Sequence, residues 1–384
     1  MSARHIWLIG CGQLVNWGVL YYAFGVLLVP VEESLGIARW IVSGAFSVAL
    51  LVSAIAAPAV GRLVDSGQGP VVMQAGGLIA AGLLILWAAM PHVIVMYVVW
   101  AALGLCMAAI LYEPVFAMVG RAYADADARL RAIATVTIMG GLASTAFLPG
   151  TTFLVARLGW RGAVLALALI IAAMTLIVAR VAFREVIQPG ASPHARPASG
   201  VSRLVAIFAI SSVVNSALAS NIVAALIDRQ LSPARAAAIG GLFGVMQLPG
   251  RVLMTHRSFV PHPNQLLLFS FGLQIAGLLV LIITTQLALW IGVGVFACGA
   301  GLTTLARPYL VLHVYGAAAA GRVNGAVARG QQLARAAGPV SAAALASASG
   351  GYRSVFVTMA VLLVIAIAAQ LVIPHQQPIS LPSR

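Results

Sequence analysis

The sequence predicts an all-α membrane protein of twelve transmembrane helices, arranged as two pseudo-symmetric six-helix bundles. Three observations predict it. The 384-residue chain is 62% hydrophobic and 8% charged, with a mean hydropathy of +1.04, whereas soluble domains are about a quarter charged. Its apolar residues fall into runs of about 20, the length that crosses a bilayer. Segments of the first half also recur in the second at a nearly constant offset.

The apolar runs lie near 5–30, 38–60, 71–90, 92–119, 131–156, 160–182, 203–226, 236–254, 264–284, 286–312, 323–347 and 353–373. The first follows Arg4 and is too long for a signal-peptide core, so it counts as a helix. The longest stretch between runs, "FREVIQPGASPHARPASGVSR", is rich in proline, serine and arginine and falls at mid-chain. It marks a linker at 184–202 between an N-terminal bundle, 1–183, and a C-terminal bundle, 203–384. Twelve spans leave no room for a soluble domain.

Three pairs of segments carry the internal repeat. "LGWRGAVL" at 158–165 matches "GGYRSVFV" at 350–357, "LYEP" at 111–114 matches "LARP" at 305–308, and "APAVGR" at 57–62 matches "MQLPGR" at 246–251. Such duplication places a transporter's substrate site between the halves, near the bilayer midplane.

All 22 basic residues are arginine, against 8 acidic ones. In a soluble protein that balance would suggest nucleic acid, but these arginines sit singly at the ends of apolar runs. With the N-terminus inside, Arg4, Arg62, Arg121, Arg129, Arg131, Arg180, Arg184, Arg196, Arg203, Arg251, Arg257, Arg322 and Arg384 are cytoplasmic. Arg39, Arg157, Arg161, Arg229, Arg235 and Arg353 face the other side. The bias puts both termini in the cytoplasm. Cys11, Cys106 and Cys298 lie within apolar runs as small buried hydrophobes. No phosphate-cradling loop, metal-spaced cluster or nucleophile motif appears, so neither an enzyme nor a cofactor is expected.

The loop "GRLVDSGQGPVVM" at 61–73 carries glycine, then aspartate four residues later. It resembles the loop motif of the major facilitator superfamily, although Ser66, Gln68 and Pro70 replace the expected basic residues. The resemblance extends over essentially the whole chain and implies the fold of two six-helix bundles. It also implies a conformational gating role for Gly61, Arg62 and Asp65; alternatively Asp65 is an ordinary loop or N-cap aspartate. "LGIARWIVSGAFSVALLVSAIAAPAVGRLVD", with "NWG" at 16–18 and "RAYADADARLRAIATVTIMGG" at 121–141, is similar to the bacterial monocarboxylate and oxalate–formate branch. That similarity implies an integral protein of the bacterial inner membrane. Trp100 stands where proton-coupled drug antiporters carry an arginine, which disfavours drug efflux.

Among charged residues, only Glu113, Arg307, Arg329 and Arg335 fall inside spans. Each costs about 2.5–3.5 kcal/mol at a helix centre unless partnered or hydrated, so intramembrane charge points to function. Glu113 and Arg307 each precede a proline at matching places in the two halves. In the family's architecture the fourth and tenth helices face one another, so a carboxylate and a guanidinium would stand on opposing walls of a central cavity or form a structural salt bridge. Pro114 and Pro308 each free a carbonyl one turn earlier. In "VARGQQLARAAGP" at 327–339, Gln331, Arg335, Gln332 and Arg329 share a helix sector about 160° wide, which must face the cavity or the seam between halves rather than lipid.

The expected substrate-binding residues are Asn16, Trp17, Tyr21, Tyr112, Glu113, Asn215, Arg307, Arg329 and Gln332, with Glu113 also the proton-coupling group. Three arginines against one glutamate leave positive charge unpaired, and arginine's planar fork suits a carboxylate. The expected function is therefore secondary transport of a small organic anion such as a monocarboxylate, with protons as co-substrate. Exporters of amphipathic or cationic drug-like compounds and non-transporting receptors or scaffolds are the alternatives. The expected partners are this anion, protons and membrane lipids, with no nucleic acid and no second copy of the chain.

Overall fold

A computed structural model describes residues 3–89, 92–123, 125–181, 201–249 and 262–371. The predicted linker 184–202 lies outside these residues except for 201 and 202. Helix α1 (Ala3–Trp17) passes through a π turn at Gly18–Tyr22 into α2 (Ala23–Leu35), and α3 is Arg39–Leu63. A second π turn, Val64–Gln68, leads to α4 (Gly69–Ala89), followed by α5 (Val93–Ile110) and α6 (Tyr112–Ala122). The first half ends with α7 (Ala126–Gly141) and α8 (Ala143–Val181). In the second half come α9 (Val201–Ile227), α10 (Pro233–Val245), α11 (Pro263–Val280), α12 (Gln286–Arg335), α13 (Ala337–Ser349) and α14 (Arg353–Leu371).

Among the described residues, 8 helical runs are long and apolar enough to span a membrane. Two of them, Arg39–Ala89 and Arg131–Arg180, each hold two crossings, and they reverse at glycines with left-handed backbone, Gly67 (φ 88°) and Gly159 (φ 67°). Side chains other than glycine's disfavour that conformation. Helix α12 also folds back, because Arg307 bonds Gln331; a straight helix would hold residues 24 apart about 36 Å from each other. Adding α10 and the stretch through α13 yields the twelve crossings of the predicted all-α fold.

Lipid-facing residues such as Ile55, Val71, Ile94, Val98 and Leu169 are exposed, while Trp87, Trp100, Phe24, Phe46 and Phe208 are fully buried. This arrangement suits a bilayer, where backbone polar groups must be satisfied internally but apolar side chains can face outward. Small residues set the helix spacing. At Gly104 in α5, an added Cβ would stand 2.4 Å from the Ala49 carbonyl oxygen and 3.0 Å from Ala49 Cα in α3. Gly104→Ala is expected to force these helices apart at a cost of about 1–3 kcal/mol, read as a lower melting temperature in detergent. An unchanged melting curve would show that the α3–α5 contact yields freely.

The halves meet along α3 with α13, α8 with α10, and α2 with α9. Thr145 Oγ1 donates to Gly241 O at 2.7 Å, and the Val340 amide donates to Ser47 Oγ at 3.2 Å. At the start of α3, the Arg39 guanidinium donates two bonds to the Asp228 carboxylate, at 2.6 and 3.1 Å, and a third to Glu32 at 2.7 Å. The Tyr352 ring lies 6.0 Å from Arg39, and its hydroxyl donates to Asn221 Oδ1 at 3.0 Å. Burial pushes the Tyr352 phenol up to about 12, so it remains a donor at neutral pH. This cluster ties the halves at the end of α3 remote from Gly61 and Asp65.

Candidate functional site

Pro114 shapes the first wall. Its missing N–H would otherwise have bonded Ile110 O, and the helix breaks at Leu111 (ψ −159°). The released carbonyl accepts instead from Gln13 Nε2 at 2.7 Å and Asn16 Nδ2 at 3.1 Å. Helix α6 then restarts, placing Glu113 in its first turn, where the helix dipole favours a carboxylate. The π turn at Gly18–Tyr22 follows Trp17 and contains Tyr21, whose ring packs against that of Trp17.

A cavity of about 310 Å³ lies between the halves. Trp17, Tyr21, Tyr112 and Glu113 line it from the first half; Asn215, Arg307 and Arg335 line it from the second. The Trp17 ring packs 4.9 Å from Tyr112 and 5.2 Å from Tyr21, with the Arg335 guanidinium 5.8 Å away over its face. Such stacking holds a cation against an aromatic without neutralising it.

Adjacent glutamines of α12 contact charges on both walls. Arg307 Nη1 donates to Gln331 Oε1, while Gln332 Nε2 donates to Glu113 Oε1 across the two halves. Glu113 and Arg307 thus share the cavity without the direct salt bridge that the sequence allowed. Among the described residues neither Arg307 nor Arg335 makes an ion pair, and Arg307 Nε is buried without a hydrogen-bond partner. The cavity therefore carries two guanidinium groups against one carboxylate.

Three of the expected substrate-binding residues lie elsewhere. Asn16 is buried inside the first half, committed to Ile110 O, and lines a separate small cavity with Gln13 and Thr175. Arg329 is exposed and lines no cavity described here, because it sits about 120° around the helix from Arg335. Gln331 and Arg335, spaced four apart, take the cavity face instead. Gln332 borders a smaller adjoining cavity, with Glu113 and Arg335. Gly61 and the exposed Arg62 end α3, and Asp65 stands in the following π turn, outside the cavity lining. His313 is exposed and lies 5.2 Å from the His262 ring.

Sequence reasoning left out the polar wall formed by Ser211, Ser212, Thr303 and Gln247. Serine and threonine in apolar helices commonly bond their own backbone, so their cavity-facing role has no distinctive pattern. The signal available for Arg335 was its i, i+4 spacing from Gln331.

The model of the Major Facilitator Superfamily matches residues 7–339. No curated protein sequence matches the chain significantly. Among solved structures, the nucleoside transporter NupG superposes with a TM-score of 0.74 at 14% identity, covering 96% of this chain and 98% of that one. A bacterial homolog of the human lysosomal transporter Spinster, in an inward-facing and occupied conformation, gives 0.71 at 14% identity, covering 96% and 95%. The human organic anion transporter MFSD10 gives 0.71 at 16% identity, covering 96% and 100%. At these identities the superpositions bear on the fold alone. The family match spans most of the chain, and the chain belongs to the Major Facilitator Superfamily of membrane transporters.

Proposed function

We propose that this chain is a secondary active transporter of a small organic anion, a monocarboxylate or similar carboxylate, coupled to protons through Glu113. The observation that supports the anion is the pair of guanidinium groups, Arg307 and Arg335, in the cavity between the halves without a carboxylate partner. Arginine binds a carboxylate through two parallel hydrogen bonds, and a small acid fits a cavity of about 310 Å³. Transport follows from rocking the 1–183 bundle against the 203–384 bundle around this midplane site. The chain acts as a monomer in a bacterial inner membrane, with both termini cytoplasmic in keeping with the arginine bias.

The test is uptake into proteoliposomes of carboxylates, phosphate and cationic dyes. Accumulation of a small carboxylate is expected. Uptake of the dyes alone would overturn the anion assignment and make Glu113 and the aromatic wall a cation site. Binding of carboxylate without uptake would point to a receptor.

Asp65 carries the gating proposal. Asp65→Asn is expected to slow exchange several-fold while substrate affinity stays within a few fold, because Asp65 lies at the α3–α4 connection and not at the cavity. Loss of binding with an unchanged exchange rate would refute that role.

A further inference from the structure

Behind the cavity wall of the second half lies a buried polar network. Ser270 Oγ donates to Gly299 O at 2.8 Å and also contacts Thr303 Oγ1. Gln274 Nε2 donates to Thr303 Oγ1 at 2.9 Å and weakly to Ser270 O at 3.4 Å. Gln274 Oε1 therefore points away from α12 and accepts from Asn215 Nδ2 at 3.2 Å. The same Nδ2 donates to Ser211 O at 2.8 Å and lies 3.3 Å from Ser211 Oγ. Gln274 and Ser270 are wholly buried, so no water competes for these bonds.

The network has a fixed polarity. A backbone carbonyl can only accept, so the Asn215 atom facing Ser211 O must be the amide nitrogen, and Gln274 Oε1 reinforces that orientation. Asn215 Oδ1 is left on the other side. It takes no hydrogen bond among the described residues, it is not sealed from solvent, and its residue lines the cavity. A hydroxyl in that place could turn to donate or accept, whereas this carbonyl can only accept.

We propose that Gln274 locks the Asn215 amide with its oxygen toward the cavity, so that the site selects organic acids carrying a hydroxyl group over their unsubstituted analogues. This rests on the anion-transport reading and extends it to a specificity determinant. The guanidinium groups of Arg307 and Arg335 engage the carboxylate, while Asn215 Oδ1 accepts the hydroxyl proton. An ammonium group is the poorer donor here, because two guanidinium groups already line the same cavity. Gln274 acts as a positioning residue, since it reaches the ligand only through Asn215.

The experiment measures affinities of the purified transporter for butyrate and for 2-, 3- and 4-hydroxybutyrate. The wild type is expected to favour at least one hydroxy acid over butyrate by about tenfold, the effect of one well-made hydrogen bond of about 1.4 kcal/mol. Gln274→Met removes one of the two acceptors that hold the Asn215 amide, leaving Ser211 O alone, and is expected to bring that ratio below about threefold while butyrate affinity changes little. Asn215→Leu removes the acceptor and should give the same collapse, which keeps the test decisive if the buried substitution fails to fold. Equal wild-type affinities for all four acids would overturn this inference and leave the anion reading standing. A preference that survives in either folded variant would likewise overturn it. Failure of every acid to bind would overturn the anion reading itself.

Discussion

Arg307→Ala is expected to lower affinity for a carboxylate substrate by about 100-fold or more, with little loss of folded protein. Removing one member of a buried, hydrogen-bonded charge pair costs about 2–5 kcal/mol, and every 1.4 kcal/mol is tenfold in affinity. The guanidinium lines the cavity with its Nη1 held by Gln331, and among the described residues no carboxylate pairs with it, so its charge is available to an anion. Arg307→Lys keeps the charge but replaces the planar fork with a single ammonium, and is expected to recover only part of the affinity. The measurement is equilibrium binding of a labelled carboxylate to purified protein, with thermal unfolding as the control for folding. Near-normal affinity in well-folded Arg307→Ala protein would sink the anion-site assignment.

Hydropathy made the fold legible because a bilayer imposes one requirement on every crossing: an apolar run about 20 residues long. The site was legible only where burial makes a residue conspicuous. Glu113 and Arg307 stood out as charges inside apolar runs, and both line the cavity. Arg329 stood out for the same reason and yet is exposed, because hydropathy reports depth along a helix and not direction around it. Asn16 shows the complementary failure. Its amide is consumed by the carbonyl that Pro114 releases, a debt of the backbone that no side-chain pattern records. Asn215 was an expected site residue, but its contact with Gln274 joins residues 59 apart and no sequence pattern pairs them.

The glutamines of α12 explain how the two walls can sense one another. Gln331 meets Arg307 and Gln332 meets Glu113, so a shift of either charge moves the same short stretch of helix. The Gln332–Glu113 bond also crosses between the halves, which makes it sensitive to their separation. Its strength depends on protonation, because a hydrogen bond to an ionised carboxylate is about twice as strong as one to a neutral group.

Glu113→Gln, the imitation of the protonated state, is expected to abolish accumulation driven by a pH gradient while retaining exchange of substrate between two loaded compartments. Glu113 is the acidic residue that lines the cavity, and its carboxylate reaches Gln332 across the halves. On the proposed mechanism an arriving anion engages Arg307 and Arg335 and adds negative charge beside Glu113, a charge that a co-transported proton would offset. On the proposed coupling the protonated carboxyl would hold Gln332 less strongly, the halves would separate more readily on that side, and proton and anion would move together in the same direction. A permanently neutral side chain still permits the loaded transporter to reorient but cannot return a proton, so exchange survives and net uphill transport does not. Both modes are measured in the same proteoliposomes, with wild type alongside. Persistent pH-driven accumulation in Glu113→Gln would remove Glu113 from the coupling mechanism. A wild type indifferent to the pH gradient would instead make the protein a uniporter or anion exchanger, with the Glu113–Gln332 bond serving only to hold the halves in register.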